Sequence, residues 1–433
     1  MRTLYFLPEN VDNNGLPLKT KTLKDQKMKK ACLFVSALIL LSSLACQAGP
    51  ARGAAPKPQT AAVAQEAPAS APAKPVVAPD RVHDDLAAFL SGVAGTAEPW
   101  KARESAASWQ SFAASSAKHW TAFETGILEP MKKWAGEDLR ETGLATKTLF
   151  YPFGGPDFVT AFAFYPDAAK TVLMGLEPVG NLPDFDKATP VWTDEFFQDL
   201  DTITSDFLKR GYFVTEHMND VFSKGRVDGA LPLVLYFLKR TGHSIVGIRN
   251  LGVDEKGEWT ETAYVPLKKR PRRPYGVRIE YVRTGDEVVR SVEYFSCDLA
   301  DAAFRTDSPL FRHFDGLEGV TTFIKSASYL LHYGEFSIIR NMILRKSLCV
   351  LEDDTGIPYH YFKRQGWEIQ LYGAYAKPVE DFSAAVEQKD LKAVYEDPAT
   401  NVRKLPFHFG YRWVSKIDNL LLMKKPPAKP AVS

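Results

Sequence analysis

The segment from Met28 to Ala48 has the layout of an export signal, and it decides how much of the chain remains to fold. Lys29 and Lys30 precede an apolar run that begins at Ala31 and ends at Leu41. The run is shorter than the roughly 20 residues that span a bilayer, and no stop-transfer pattern follows it. We therefore expect this segment to be cleaved and the mature protein to lie in the cell envelope.

The apolar run closes with Leu44, Ala45 and Cys46. This end resembles the lipobox of bacterial lipoproteins, in which the cysteine thiol is acylated and becomes the first mature residue. The resemblance implies a lipid-bearing (palmitate-type) Cys46 as the membrane anchor, and Gln47 implies sorting to the outer membrane. The alternative is ordinary secretory cleavage near Ala45 or Ala48, which leaves no anchor.

Composition divides the chain into four parts. Residues 1–46 form the signal and its lead, with Met1 and Met28 as alternative starts. Residues 47–79 are rich in Ala and Pro and lack aromatic residues, which predicts a disordered tether. Residues 80–423 are long enough for one large domain or two intimate subdomains, and residues 424–433 predict a disordered tail.

The overall charge and the rarer residue types exclude several classes of function. A formal net charge of only +2 argues against bulk attraction to nucleic acid. Cys297 and Cys349 belong to the folded segment, and in an oxidising compartment they either pair or remain as two buried thiols. The histidines are scattered and no phosphate-binding glycine loop occurs, so we expect neither a metal ion nor another cofactor.

Periodicity predicts an α+β domain, in which N-terminal helices precede a largely antiparallel sheet with further helices. Six residues at three- and four-residue steps predict a buried stripe on a helix from about Pro99 to Trp134, interrupted at Pro130. They are Trp109, Phe112, Ser116, Trp120, Phe123 and Ile127. We expect this stripe to pack in the core against the following sheet rather than to hold a glycan or lipid.

Later segments alternate between helical and strand patterns. Amphipathic spacing predicts helices over residues 194–209, with Thr193 as the cap, and over residues 219–239. Residues 244–265 and 277–295 each contain two alternating runs around a turn, which predicts two antiparallel hairpins. Short strands are predicted before Gly154 and before Gly175.

Two of these predicted strands end in turns that carry a carboxylate. The first turn reads Pro152-Phe153-Gly154-Gly155-Pro156-Asp157-Phe158, and the second reads Gly175-Leu176-Glu177-Pro178. The pair of segments resembles an uncharacterised family of bacterial secreted proteins, and the resemblance implies no known activity. Asp157 and Glu177 make an acid/base pair if the turns face each other across a cleft. The alternative is that each carboxylate is bonded locally, Asp157 in its own turn and Glu177 to an arginine.

The segment from Phe314 to Tyr375 is densest in reactive side chains. Helical spacing would bring Lys325, Ser328, Tyr329 and His332 to one face. Ser328 would then be a nucleophile activated by Lys325 or His332, with Asp353 or Asp354 orienting the base. The alternative is an acidic turn and an ordinary ion pair between Lys325 and Glu335 or Asp354.

One dense basic run lies between the two predicted hairpins. An anion-binding role would use Lys268, Lys269, Arg270, Arg272 and Arg273. The alternative is a solvated loop, which is what most such runs form.

Together these features predict a lipoprotein that binds an envelope glycan, a lipid or a partner protein, without enzymatic activity. The alternative is a hydrolase or lyase that acts on envelope glycan. Its catalytic candidates are Asp157, Glu177, Lys325, His332 and Asp353. Convergence of these side chains in one cleft would favour the enzyme, whereas local pairing of each would favour a binding protein.

Overall fold

The computed structural model describes residues 78–95, 97–140, 146–264, 275–380, 382, 386–414 and 417–426. The predicted signal, Cys46, the tether up to residue 77 and the basic run at 268–273 lie outside the described residues. Among the helices of the described part, none combines the length and the apolar character needed to cross a membrane.

Helices precede and interrupt the sheet along the described chain. The α-helices are α1 Arg81–Leu90, α2 Trp100–Arg103, α3 Ala107–Phe123, α4 Glu129–Trp134, α5 Phe158–Phe164, α6 Pro190–Arg210, α7 Thr215–Phe222, α8 Leu231–Arg240, α9 Pro309–Asp315, α10 Ser337–Lys346, α11 Tyr359–Arg364 and α12 Lys389–Glu396. π-helical turns at Glu124–Leu128 and Ala135–Leu139 join and extend α3 and α4. Short 3₁₀ turns occupy Leu330–His332, Gly334–Phe336 and Gly410–Val414.

The strands form one mixed sheet. They are β1 Thr148–Tyr151, β2 Lys170–Gly175, β3 His243–Val253, β4 Trp259–Ala263, β5 Tyr275–Arg283, β6 Arg290–Ser296, β7 Val320–Ile324, β8 Ser347–Glu352, β9 Glu368–Gly373, β10 Val402–Arg403 and β11 Asn419–Lys424. Their order across the sheet is β10-β9-β11-β8-β7-β1-β2-β6-β5-β3-β4.

The centre of this sheet is parallel, which corrects the prediction of a largely antiparallel sheet. Strands β8, β7, β1, β2 and β6 run in the same direction. The predicted hairpins are confirmed as β3-β4 and β5-β6, and they extend one side with antiparallel pairing. On the other side β11 is antiparallel to both β8 and β9. Local alternation revealed the hairpins but contained no information about the long connections that make the central strands parallel.

Alternate strand residues divide the core between the two faces of the sheet. Leu149, Tyr151 and Phe323 belong to the core that contains α1, α3, α5, α6 and α8. Phe150, Val172 and Ile324 belong to the core on the opposite face, with α9, α10 and α11. This division follows from the two-residue period of a strand, and it gives three layers with helices on both faces.

The predicted aromatic stripe is confirmed as core, but its partner is a helix. All six stripe residues are buried. The rings of Phe112 and Phe197 stack with centroids 5.0 Å apart, and Phe123 contacts Phe207 on the same partner helix, α6. The helix predicted from about Pro99 to Trp134 is divided into α2, α3 and α4, and the interruption predicted at Pro130 is confirmed as a π-helical turn directly before Glu129 and Pro130.

Three local predictions need correction. Helix α6 is capped by the hydroxyl of Thr189, which accepts a bond from the Trp192 amide, rather than by Thr193. The helix predicted over residues 219–239 is two helices, α7 and α8, separated by a loop in which Gly225 and Gly229 have positive φ. Strand β11 extends to Lys424, the first residue of the predicted tail.

Candidate functional site

The chain connections that follow the neighbouring parallel strands β1 and β7 lead in opposite directions across the sheet. From β1 the chain passes through α5 to β2, whereas from β7 it passes through α10 to β8 on the other side of β1. Helix α5 covers one face of the sheet and α10 covers the other. Ligands in open α/β sheets bind at the carboxyl ends of the strands where such connections diverge. Tyr151 and Lys325 mark the carboxyl ends of these two strands.

A cavity of about 140 Å³ lies at this edge. This volume is about that of a cavity that admits one six-membered ring. The carboxyl ends of β1, β2, β6 and β7 line it together with the α6-α7 connection. Its lining includes Tyr151, Phe153, Gly154, Gly155, Asp157, Glu177, Tyr212, Phe213, Thr215, Cys297, Asp298, Lys325, Ser326, Ser328, Phe336 and Tyr411.

Strained backbone is concentrated at this cavity. Within the described ranges, the non-glycine residues with positive φ are Phe153, Ser326, Ser328 and Tyr329, with φ between 52° and 63°. The first three line the cavity and the fourth follows directly. Left-handed backbone is costly for residues with a Cβ and is retained where surrounding contacts impose it, often at functional sites. These φ values also show that residues 326–329 are not helical, so the predicted helical face of Lys325, Ser328, Tyr329 and His332 is wrong.

Lys325 and Asp157 form a buried ion pair at the base of the cavity. The Lys325 ammonium donates to a carboxylate oxygen of Asp157, to the Thr160 hydroxyl at 3.0 Å and to the Gly211 carbonyl at 2.7 Å. Both side chains are 2% exposed. An ammonium has three donors, and here each has an acceptor. Lys325 is therefore committed to holding the β1-α5 turn, β7 and the end of α6 together.

Asp157 is equally occupied. One oxygen accepts the Thr160 amide at 3.0 Å and caps α5, while the other accepts the Tyr151 hydroxyl at 2.9 Å as well as Lys325. Burial, and then the Asp157 charge, raises the pKa of Tyr151 well above its ordinary value. The ion pair of Lys325 is thus with Asp157, rather than with Glu335 or Asp354 as the sequence suggested.

Glu177 lines the same cavity in a different electrostatic environment. Its side chain is buried, and burial raises its pKa, although a bond from the Thr215 hydroxyl acts in the opposite direction. The Tyr294 hydroxyl donates to the main-chain carbonyl of Glu177 at 2.8 Å. The Glu177 carboxylate lies so close to Gly175 that a Cβ there would come within 2.4 Å of it. The absence of a side chain at position 175 therefore leaves room for this carboxyl. Among the described residues it has no arginine partner, and Thr215 supplies its hydroxyl contact instead.

Ser326 contributes an uncommitted hydroxyl. Its Oγ is buried and has no hydrogen-bond partner among the described residues, whereas its amide donates to Asp353 at 3.0 Å. Asp353 also accepts the Thr355 amide at 3.1 Å. Burial, and then the neighbouring Asp354, raises the pKa of Asp353 to about 6. Asp353 thus holds the strained Ser326 backbone from behind the cavity.

Of the remaining candidates, Asp354 and His332 lie outside the cavity lining, whereas Ser328 belongs to it. Asp354 accepts the Tyr329 hydroxyl at 2.7 Å and two bonds from the Arg412 guanidinium, at 3.0 and 2.9 Å. His332 packs edge-on against Tyr329, and burial lowers its pKa to about 4. Ser328 is bonded to the Tyr411 hydroxyl at 2.7 Å rather than to a lysine or a histidine. The predicted activated serine is therefore not assembled.

The structure brings Asp157, Glu177 and Lys325 to one cavity and places Asp353 behind it. Sequence reasoning omitted Tyr151, Ser326, Cys297 and Tyr411 from the candidates, although all four line the cavity. The position of Ser326 directly after a parallel strand was the available signal, and it required β7 to be recognised as a strand. Cys297 and Cys349 are both free thiols, so the predicted disulfide is not formed; Cys349 is buried and Cys297 partly buried, and burial raises the pKa of both.

Among the described residues, no group of three or more His, Cys, Asp or Glu side chains is placed to hold a metal ion. Comparison with protein-family models, with curated proteins and with solved structures finds no match to the chain.

Proposed function

We propose that this protein is a lipid-anchored binding protein of the bacterial cell envelope and that the cavity between β1, β2, β6 and β7 binds one neutral, hydroxyl-rich ring. A single sugar unit of an envelope glycan is such a ligand. The observation that carries the proposal is the contrast within the cavity. Lys325 and Asp157 bond to each other and to neighbouring protein groups, so they have no free donor or acceptor position for a ligand. The Ser326 hydroxyl has no partner among the described residues and remains available to a ligand.

The lining chemistry supports a neutral ligand. Asp157, Glu177 and Asp298 face the cavity and Lys325 is the cation among the described lining residues. Because Lys325 is neutralised by Asp157, an anionic ligand would find no unpaired cation among the described lining residues and would be repelled by Glu177 and Asp298 if these are charged. Aromatic rings, including those of Tyr212, Phe336 and Tyr411, supply apolar faces against which a sugar ring can pack.

The anchor part of the proposal rests on the lipobox-like end at Cys46 and on the Ala- and Pro-rich segment that follows it. Two acyl chains hold a protein firmly at a membrane, whereas one gives only reversible binding. The test is the intact mass of protein purified from its native membrane fraction, for the wild type and for Cys46→Ala. A mature chain that starts at Cys46 with added acyl mass, lost in the variant, supports the anchor. An unmodified soluble chain contradicts it.

The ligand part is tested by calorimetric titration of the mature protein with glucose, N-acetylglucosamine and glucose 6-phosphate. We expect a neutral sugar to bind at least tenfold more tightly than the phosphorylated one. Glu177→Gln should weaken that binding at least tenfold, because the amide replaces one of the two acceptor oxygens that the carboxyl offers to sugar hydroxyls. The matched control is Glu318→Gln, at an exposed position outside the lining. Equal affinity for the neutral and the phosphorylated sugar would overturn the proposal.

The second candidate, a hydrolase or lyase acting on envelope glycan, is favoured by one observation. Burial raises the pKa of Glu177, which is the environment of a carboxyl that serves as a general acid. Release of reducing ends from a chito-oligosaccharide, abolished by Glu177→Gln, would establish this activity. Binding without turnover would leave the protein as a binding module.

A further inference from the structure

A second and larger cavity lies at the opposite edge of the parallel strands. Its volume is about 640 Å³, within the range of about 300 to 1,000 Å³ that small-molecule sites occupy. Thr146, Ala168, Thr321 and Cys349 line it at the amino ends of β1, β2, β7 and β8. The turns around α4 and the end of α5 cover it.

The cavity walls are largely apolar, but one of their residues, Tyr165, has a donor without an acceptor among the described residues. Ala135, Leu139, Phe162 and Phe164 supply apolar surface. Tyr165 also lines the cavity, and its hydroxyl is buried and has no hydrogen-bond partner in the described part of the chain. A buried donor without an acceptor is unfavourable, so a ligand that brings an acceptor gains from binding here.

Arg283 lies next to the cavity, against residues that line it, and contains a second such donor. Its guanidinium bonds to the carbonyl of Pro166 and to the carboxylate of Asp167, and both of these residues line the cavity. Its Nε is buried and lacks a partner among the described residues. Asp167 is an exposed counter-charge, with 84% of its side chain accessible.

Positive charge gathers around the ring of Phe162 in the same wall. The Lys132 ammonium and the Arg283 guanidinium lie 5.8 and 5.6 Å from its centroid. His243 packs edge-on against the same ring with centroids 4.6 Å apart, and its neutral form is favoured by burial and then by nearby cations. Arg140 adds a further cation to the lining.

We propose that this cavity binds an amphipathic anion, a molecule with a carboxylate or phosphate head and a short hydrocarbon part. The head accepts bonds from Tyr165 and Arg283 in the field of Lys132. The hydrocarbon part packs against the apolar wall that contains Leu139 and Phe164. This site is separate from the carboxyl-edge cavity, so a negative result for sugar binding there does not affect the proposal of anion binding here.

The experiment titrates the mature protein with decanoate, decyl phosphate, decanol and inorganic phosphate, below the concentrations at which micelles form. We expect decanoate or decyl phosphate to bind at least tenfold more tightly than decanol and than inorganic phosphate. Equal affinity for decanol would show that the anionic head of the ligand contributes nothing to binding. Equal affinity for inorganic phosphate would show that the hydrocarbon part of the ligand contributes nothing. Either result overturns the proposal.

Two variants localise the binding. Tyr165→Phe removes only the unpartnered hydroxyl, so we expect a melting temperature at or slightly above that of the wild type and a five- to tenfold weaker affinity for decanoate, which corresponds to about one hydrogen bond. Lys132→Met should weaken decanoate but leave decanol unchanged, and Lys133→Met is the matched control because it does not line the cavity. Unchanged decanoate affinity in both Tyr165→Phe and Lys132→Met contradicts the assignment.

Discussion

The two edges of the parallel strands differ in how completely their buried polar groups are hydrogen-bonded. At the carboxyl edge the Lys325 ammonium has three acceptors, and its partner Asp157 is bonded by both oxygens. At the amino edge the Tyr165 hydroxyl and the Nε of Arg283 have no partners among the described residues. The charged pair at the first edge is thus organised before any ligand arrives, and only the Ser326 hydroxyl is left without a partner among the described residues of its lining, whereas the second edge leaves a tyrosine hydroxyl and a guanidinium nitrogen unpaired.

The largest expected effect on stability comes from removing one partner of the Lys325–Asp157 ion pair at the carboxyl edge. Lys325→Met leaves the Asp157 carboxylate buried without its cation, which should lower the free energy of unfolding by about 3–5 kcal/mol. Urea denaturation measures it. The double variant Asp157→Asn with Lys325→Met should lose less than Lys325→Met alone, because no uncompensated charge remains. The exposed control Lys363→Met should stay within about 0.5 kcal/mol of the wild type.

Glycines at the two edges provide a second test. In Gly175→Ala the new methyl would lie 2.4 Å from the Glu177 carboxylate and 2.9 Å from the Gly155 Cα. We expect a loss of about 1–3 kcal/mol in the free energy of unfolding, together with loss of sugar binding. At the amino edge the space around a Cβ at Gly136 is open, with nothing within 4 Å. Gly136→Ala should therefore gain up to about 1 kcal/mol from helix propensity. A similar loss in both variants would contradict the contrast.

The pH dependence of stability tests the support behind the carboxyl-edge cavity. The pKa of Asp353 rises from an ordinary 3.8 to about 6 in the native protein. Between these values the native state binds the extra proton, so this group makes stability fall as the pH rises, by up to about 1.4 kcal/mol per pH unit.

Asp353→Asn removes that contribution. We expect the difference in unfolding free energy between wild type and variant to change across pH 4 to 6, as measured by urea titrations at each pH. Buried histidines such as His332, whose pKa is lowered to about 4, have the opposite slope in this window and cancel in the difference. Parallel curves for the two proteins would contradict the assignment.

The smallest effects come from two tyrosine hydroxyls. Tyr151→Phe at the carboxyl edge removes a donor to Asp157 at 2.9 Å and should cost about 1–2 kcal/mol. Tyr165→Phe at the amino edge removes a hydroxyl without a partner, so the free energy of unfolding should stay the same or rise by less than about 1 kcal/mol. Chemical denaturation compares the two, and an equal loss in both would show that Tyr165 is already bonded in the free protein.

The sequence predicted what depends on neighbouring residues. The stripe from Trp109 to Ile127 is buried as its spacing required, and the two hairpins formed where alternation and turn residues placed them. It failed at residues 325–332, where helical spacing is present by coincidence. Tertiary contacts, among them the Ser326 amide with Asp353, hold that backbone in left-handed conformations instead.

The candidate site was only partly predictable for the same reason. Asp157 and Lys325 could be named as reactive side chains, but they lie 168 residues apart in the chain and no local pattern pairs them. Their meeting depends on β1 and β7 being parallel neighbours, which long connections decide. Once adjacent parallel strands are known, the residues just after them become site candidates, and Ser326 would then have been included.

The contacts of Lys325 also determine the stage of chain synthesis at which the cavity can first assemble. Its ammonium joins the turn at Asp157 and Thr160, the end of the following long helix at Gly211, and its own strand. During synthesis the chain grows from its amino end, so the first two segments appear well before the third. A growing chain that stops short of Lys325 contains most of the cavity's walls but not the residue that joins them. The cavity is therefore not complete when Lys325 is added, because Phe336 and Tyr411 of its lining are made later still.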